Sequence, residues 1–289
     1  MATNNLISNY VTRREEQHFF LNSVEVAGIQ NLDIDYTQPV APIKHIGCGG
    51  HYFTLPAGRF GGQASVTSLL ISNDPFINLT GNSGVNGYVV KTYAGTTQNF
   101  SFVSGYMSSY TINCSIGQIP QINATFDIYG EVGKVDSSDA ARIGADFTAI
   151  NAYVPNIPLK IAASNSITLN MSDFNTNRVQ SFNLGITCAR NPVYILGNRY
   201  PSRVEIEYPM QVSLDFAMDL NDYNARKASL FPLRDTKNGI SLTFNNIVDN
   251  TPILSFAFTG MTFAGESHRS NVNNSVSVVT KYVGYYGRT

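Results

Sequence analysis

The chain has 289 residues with 19 basic and 20 acidic side chains, giving a formal net charge of -1. Hydrophobic residues at 43% and aromatics at 11% suffice for a core and exclude a disordered chain. Charged residues at only 13%, about half the usual quarter, exclude a basic nucleic-acid-binding module.

In chain order, residues 1–20 read as a polar arm that orders only against a partner. Their polarity, with Glu15 and Glu16, is not that of a secretory leader, and no apolar run approaches the ~20 residues that cross a bilayer. Three cysteines, Cys48, Cys114 and Cys188, argue against a disulfide framework and fit a reducing cytoplasm. Sequons such as Asn78-Leu79-Thr80 are then expected to carry no glycan.

Strand patterns follow. Leu32, Ile34 and Tyr36 alternate with Asp33, Asp35 and Thr37, the period of a half-buried strand. Comparable runs begin at Val66, Tyr110, Ala124, Val204, Val212, Ile240 and Ile253, separated by Gly, Pro and Asn clusters. Two short helices are predicted, over Ser137 to Gly144 and over Asn221 to Leu230, the latter stopped by Pro232. Gly47 to Gly62 and Asn73 to Gln98 read as long Gly/Asn-rich loops.

An internal repeat organises the pattern. Moving the chain by 150 residues (30 to 180) places Gln30 on Gln180, Thr37 on Thr187, Pro42 on Pro192 and Gly47 on Gly197 without a gap. Ile29, Leu32, Ile34, Ile43 and Ile46 fall on apolar residues in the same shift. Each copy then runs to a strand ending in Gly, Tyr110 to Gly117 and Ile253 to Gly265, and to a last strand, Ile122 to Gly130 and Val276 to Gly284. The expected organisation is an arm over 1–20 and two β-domains over 21–150 and 151–289, with Pro42, Gly47, Pro192 and Gly197 as repeat-defining turns.

Catalytic chemistry is poorly represented. Asp33 with Asp35, and Glu205 with Glu207, put two carboxylates on one strand face, but no His or Lys accompanies them, and both pairs read as surface. His45, Cys48 and His51 fall short of the four ligands of a structural zinc. The glycine clusters lack a P-loop lysine and the dinucleotide spacing, and no nucleophile elbow or zinc-protease motif occurs. No catalytic, cofactor or metal site is expected, and no cofactor.

Two segments resemble the tail tube proteins of tailed bacteriophages: Val26 to Tyr36 leading to Pro42-Ile43-Lys44-His45-Ile46-Gly47, and Met107 to Pro120 followed by Ala124-Thr125-Phe126. The resemblance is fainter in the second copy, where Gly265-Glu266-Ser267-His268 replaces Gly117-Gln118-Ile119-Pro120. It implies an all-β chain of two tandem tube domains, each a β-sandwich or barrel, and a structural virion protein whose stacked rings conduct DNA. Implied partners are the chain itself, other tail proteins (tape measure, terminator, baseplate, sheath), and double-stranded DNA passing without specific binding, with assembly in the host cytoplasm and no membrane. Two domains per chain make a trimeric, pseudo-sixfold ring the expectation. Asp33 and Asp35 are the lumen-facing candidates, with Asn183 and Gly185 at the same offset. The loop carrying Asn73, Gly81, Gly84, Asn86 and Gly87, with the arm from Met1 to His18, is the candidate for ring stacking. The alternatives are a baseplate hub or distal tail protein built on the same domain and, from another class, a carbohydrate-binding β-sandwich.

Overall fold

A computed structural model describes residues 17–43, 47, 49, 53–56, 59–71, 73–93, 96–135, 162–171, 174–176, 179–219, 236–237, 239–269 and 277–287. The chain is all-β. Its first half forms β1 (Gln17–Leu21), β2 (Val24–Glu25), β3 (Ile29–Thr37), β4 (Val40–Ile43), β5 (Phe53–Pro56), β6 (Gly61–Leu69), β7 (Val85–Tyr93), β8 (Thr96–Ser115), β9 (Gln121–Ile128) and β10 (Val132–Val135). The second half forms β11 (Ala162–Met171), β12 (Phe174–Thr176), β13 (Val179–Thr187), β14 (Arg190–Val193), β15 (Arg203–Ile206), β16 (Met210–Asp219), β17 (Thr236–Lys237), β18 (Ile240–Asn246), β19 (Pro252–Phe258), β20 (Met261–Arg269) and β21 (Ser277–Tyr286).

Alternation decides which face each strand buries. In β9 the buried residues are Ile122, Ala124, Phe126 and Ile128; in β18 they are Ile240, Leu242 and Phe244. Polar residues between them turn to the other face, because successive side chains leave a strand on opposite sides. All these apolar positions join one core that runs through both halves. Aromatic pairs stitch it together. Phe102 lies 6.4 Å from Phe126 in the first half, and Phe182 lies 5.2 Å from Phe244 in the second. Tyr110 of β8 meets Phe256 of β19 at 6.4 Å, across the halves.

The strand order occurs twice. In the first half the pairing runs β3-β6-β9-β8; in the second it runs β13-β16-β21-β20. Register follows the same rule: Leu32 faces Val66 as Phe182 faces Phe216, and Ile34 faces Ala64 as Leu184 faces Leu214. The covering strands repeat too, with β1 antiparallel to β7 in one half and β11 antiparallel to β18 in the other. Hairpins β4–β5 and β14–β15 correspond, and Gly47 and Gly197 in their connections have φ 92° and 90°, backbone that glycine adopts without a Cβ penalty.

One difference between the copies comes from a single position. β8 continues for 20 residues through Ser104, which is forced to φ 57°. The equivalent residue of the second copy is Gly260, at φ 72°, and there the strand divides into β19 and β20. The sequence expectation of one strand from Ile253 to Gly265 is therefore corrected: Thr259 and Gly260 break it.

Three further expectations change. Residues 73–98 are not one long loop, because β7 and the start of β8 form a paired hairpin within them. Gly47 to Gly62 likewise contains β5, paired to β4. The N-terminal stretch read as an arm through residue 20 becomes strand at Gln17, where Phe19 and Phe20 are buried. Both predicted helices lie outside the described residues, as do His45, Cys48 and His51.

Candidate functional site

The feature with functional consequence is the seam at which the two copies join. β8, the last strand of the first four-strand unit, pairs antiparallel with β13, the first strand of the second. Seven residue pairs span it, from Ser181 opposite Ser115 to Thr187 opposite Ser109. Leu184, Ile112 and Tyr110 are fully buried on its core side. On its other side stand Asn183 opposite Asn113 and Gly185 opposite Thr111. Backbone bonds prolong the seam at both ends, Ile116 N to Gln180 O at 3.0 Å and Cys188 N to Ser108 O at 2.8 Å. The eight strands β3, β6, β9, β8, β13, β16, β21 and β20 thus form one uninterrupted antiparallel surface.

Arg190 locks this seam. Its Nε donates to Met107 O at 2.7 Å and its Nη1 to Gly81 O at 2.9 Å. Thr80 O is 3.5 Å from Nη2. Burial pulls the guanidinium below its ordinary pKa, and the nearby Cys188, Asp127 and tyrosines oppose that fall. A guanidinium suits the task because its fixed fork reaches several carbonyls at once. The equivalent position of the first copy is Val40, which carries no guanidinium.

A second buried device fixes the segment before β7. Asp74 accepts the Phe76 N–H at 2.8 Å through Oδ1 and the Tyr110 hydroxyl at 2.6 Å through Oδ2. The first bond closes an Asx turn at Asp74-Pro75 and aims the fully buried Phe76 at Phe126, 6.2 Å away. Burial raises the Asp74 carboxyl against the lowering effect of its hydrogen bonds, and burial beside that carboxylate raises the Tyr110 phenol well above its usual value.

These contacts surround the residues expected to stack rings. Asn73 is exposed, whereas Gly81 is held by Arg190 and Gly84 lies under Tyr106, whose ring is 2.9 Å from where a Cβ would stand. Asn86 and Gly87 are strand residues of β7. A Cβ on Gly87 would lie 2.3 Å from the Phe102 ring. Arg190, Tyr106 and Phe102 thus hold the backbone at Gly81, Gly84 and Gly87, while Asn73 stays at the surface.

The other face of the eight-strand surface is polar over β3, β6, β9, β8 and β13 and carries Val279, Lys281 and Val283 on β21. Asp33 and Asp35 lie on it, exposed, with Asn31 Nδ2 donating to Asp33 Oδ2 at 2.6 Å. Ser65 and Thr125 follow across β6 and β9, and Asp215 stands directly opposite Lys281. Glu205 lies apart from this face, on the β14–β15 hairpin, paired to Arg203 at 2.9 Å. The two carboxylate pairs are not brought together. Among the described residues no group of three His, Cys, Asp or Glu side chains could hold a metal ion.

Sequence reasoning missed Arg190 and Asp74. Arg190 had a signal: a cation where the aligned copy carries Val40. Asp74-Pro75 is an Asx-turn pattern, but only the fold brings Tyr110 to it.

The model of the family described as phage tail tube protein matches residues 25–267. No curated protein matches the chain. The chain belongs to the phage tail tube protein family, so it is a structural component of a virion tail.

Proposed function

We propose that this tail tube protein assembles with copies of itself into stacked rings whose central channel conducts DNA, three chains to a ring, each chain contributing two tandem tube domains. The observation that carries this is the continuous eight-strand surface, whose terminal strands are β3 and β20, the latter paired with β17 at Met261 and Thr262. Joining the terminal strands of successive chains would close the sheet into a ring and leave it no edge.

Ring size follows from strand arithmetic. At ~4.8 Å between strands and ~40° of tilt, three chains give a wall about 48 Å across between backbones. Subtracting roughly 5 Å of side chain per side leaves a channel near 38 Å, which clears a duplex roughly 20 Å wide. Two chains would give about 32 Å between backbones and a channel of about 22 Å, barely the width of the duplex, and six would give about 95 Å. The mainly polar face suits the lumen. Asp33 and Asp35 there repel phosphates, so DNA slides instead of binding. The core side cannot serve, since its apolar residues are already packed.

Stacking contacts fall to the two matching hairpins. Val40, Ile43, Phe53 and Leu55 of β4–β5 are exposed, as are Ile195 and Leu196 beyond β14. Such apolar exposure suits an interface with the next ring of the same chain. Assembly takes place in the host cytoplasm, beside other tail proteins.

Electron microscopy of the purified protein tests the reading. Hollow tubes with a regular axial repeat are expected, with a native mass of three chains per ring. Isolated rings that never stack would favour a hub, and rings of six chains would overturn the trimer.

A further inference from the structure

The seam between the two copies within the chain is a template for the seam between chains, and this inference rests on the ring assembly proposed above. Pairing registers set the correspondence. Tyr110 faces Ala124 as Glu266 faces Thr280, and Ile112 faces Ile122 as His268 faces Val278. Both strands even carry a register shift at the same place, between Met107 and Ser109 in β8 and between Phe263 and Gly265 in β20. β8 and β20 are thus the same strand of the two copies, offset by 156 residues (110 to 266). β3 and β13 are offset by 150 (32 to 182).

Neighbours along the β20 edge complete the analogy. β8 holds two partners in succession on one edge, β7 up to Gly105 and β13 from Ser109. β17 lies against Met261 and Thr262 of β20, the equivalents of Gly105 and Tyr106, and so stands where β7 begins. The stretch from Gly265 onward is the equivalent of the one that β13 occupies.

We propose that β3 of one chain adds to β20 of the next in the register that β13 uses on β8. Translating the seam residue by residue places Thr37 opposite Gly265, Tyr36 opposite Glu266, Asp35 opposite Ser267, Ile34 opposite His268, and Asp33 opposite Arg269. The internal seam sets Asn183 against Asn113 at its corresponding position; the seam between chains sets an acid against a base. Unlike charges directly across strands favour pairing and like charges oppose it. The charge pair therefore favours β3 meeting β20, and its partner is a second copy of this chain. A slip of two residues toward Gly265 would put Asp33 opposite Ser267 and lose the match, whereas a slip the other way would set Asp35 opposite Arg269, so the register itself is carried by the repeat. Val40 stands at the position of Arg190, so the seam between chains lacks the guanidinium lock. Rings then open at β3–β20 before the internal seam yields.

Cysteine pairing tests the register in assembled full-length protein. Asp35→Cys with Ser267→Cys is expected to give disulfide-linked oligomers up to a closed trimer on a non-reducing gel, under mild oxidation that leaves the parent chain uncrosslinked. Asn183→Cys with Asn113→Cys occupies the same kind of strand pair at the internal seam and is expected to crosslink within one chain. Asp35→Cys with Gly265→Cys, two residues out of register, is expected to crosslink at least tenfold less. Tubes that form while the shifted pair crosslinks preferentially, or while neither pair does, overturn the register and leave the tube reading standing. A parent chain that forms no rings or tubes overturns the tube reading itself. Should the cysteine chains fail to assemble, charge reversal decides. Asp33→Arg is expected to cut tube yield several-fold, and Asp33→Arg with Arg269→Asp to restore it; no restoration overturns the pairing.

Discussion

Replacing Tyr110 by Phe deletes one oxygen from a fully buried ring and leaves the carboxylate of Asp74 without its 2.6 Å donor. Asp74 keeps the Phe76 N–H at 2.8 Å, so the site stays folded but under-satisfied. A hydrogen bond to a charged group contributes about 1.5–3 kcal/mol net, and its loss inside the core falls in that range because water cannot take over. We expect Tyr110→Phe to cost about 2–3 kcal/mol at neutral pH. The cost must also depend on pH. The folded carboxyl of Asp74 is raised above its unfolded value, so its protonated form binds its proton more firmly in the native state. Such a group adds stability at low pH and loses it as pH rises through the folded value. The Tyr110 hydroxyl lowers that value, so the variant's carboxyl is raised further and protonates earlier on acidification. Once Asp74 is neutral in both proteins, only a neutral hydrogen bond separates them, about 1 kcal/mol. Urea melts of the unassembled protomer, taken from neutral pH down the acid limb until Asp74 is protonated, should therefore show the gap narrowing. A gap constant down to the acid transition, or under about 0.5 kcal/mol at neutral pH, would refute the assignment of a charged, hydroxyl-dependent Asp74.

Gly87→Ala places a methyl group 2.3 Å from the buried Phe102 ring and should cost about 1–3 kcal/mol by overpacking. Thermal unfolding should show this loss, with partial recovery in Gly87→Ala with Phe102→Leu; an unshifted melt would mean that the ring moves freely. Burial pushes the Cys114 thiol up to about 11 and also raises Cys188. Both should alkylate with iodoacetamide at pH 8 far more slowly in native than in unfolded protein, followed site by site by peptide mass spectrometry. Equal rates in the two states would contradict the buried placement.

How much could be read without coordinates varied with the range of the interaction. The strands β3, β6, β9, β16 and β18 are legible because burial on one face imposes a period of two on neighbouring residues. β7 was not, because Val85 and Val89 are buried on one face and Tyr88 and Val90 on the other, and Gly87 is glycine because of the Phe102 ring, fifteen positions along the chain (87 to 102). The break at Gly260 was missed for the opposite reason. Ser104 tolerates a positive φ in one copy without ending the strand, so glycine at 260 carries no unambiguous signal.

The amino-acid order alone determined an all-β chain, its turns, and a repeat marked by Gln30, Thr37, Pro42 and Gly47 against Gln180, Thr187, Pro192 and Gly197. Those are local properties, set by φ/ψ preference and by which neighbours share a face. The tertiary structure alone decided that the two copies share one sheet through β8 and β13, that Arg190 locks the joint, and that Asp74 meets Tyr110. Strand pairing uses backbone N–H and C=O groups that every residue but proline carries alike, so no residue pattern announces which edge finds which. Only the packed core, by turning one face of each strand inward, leaves a single register in which edges can meet.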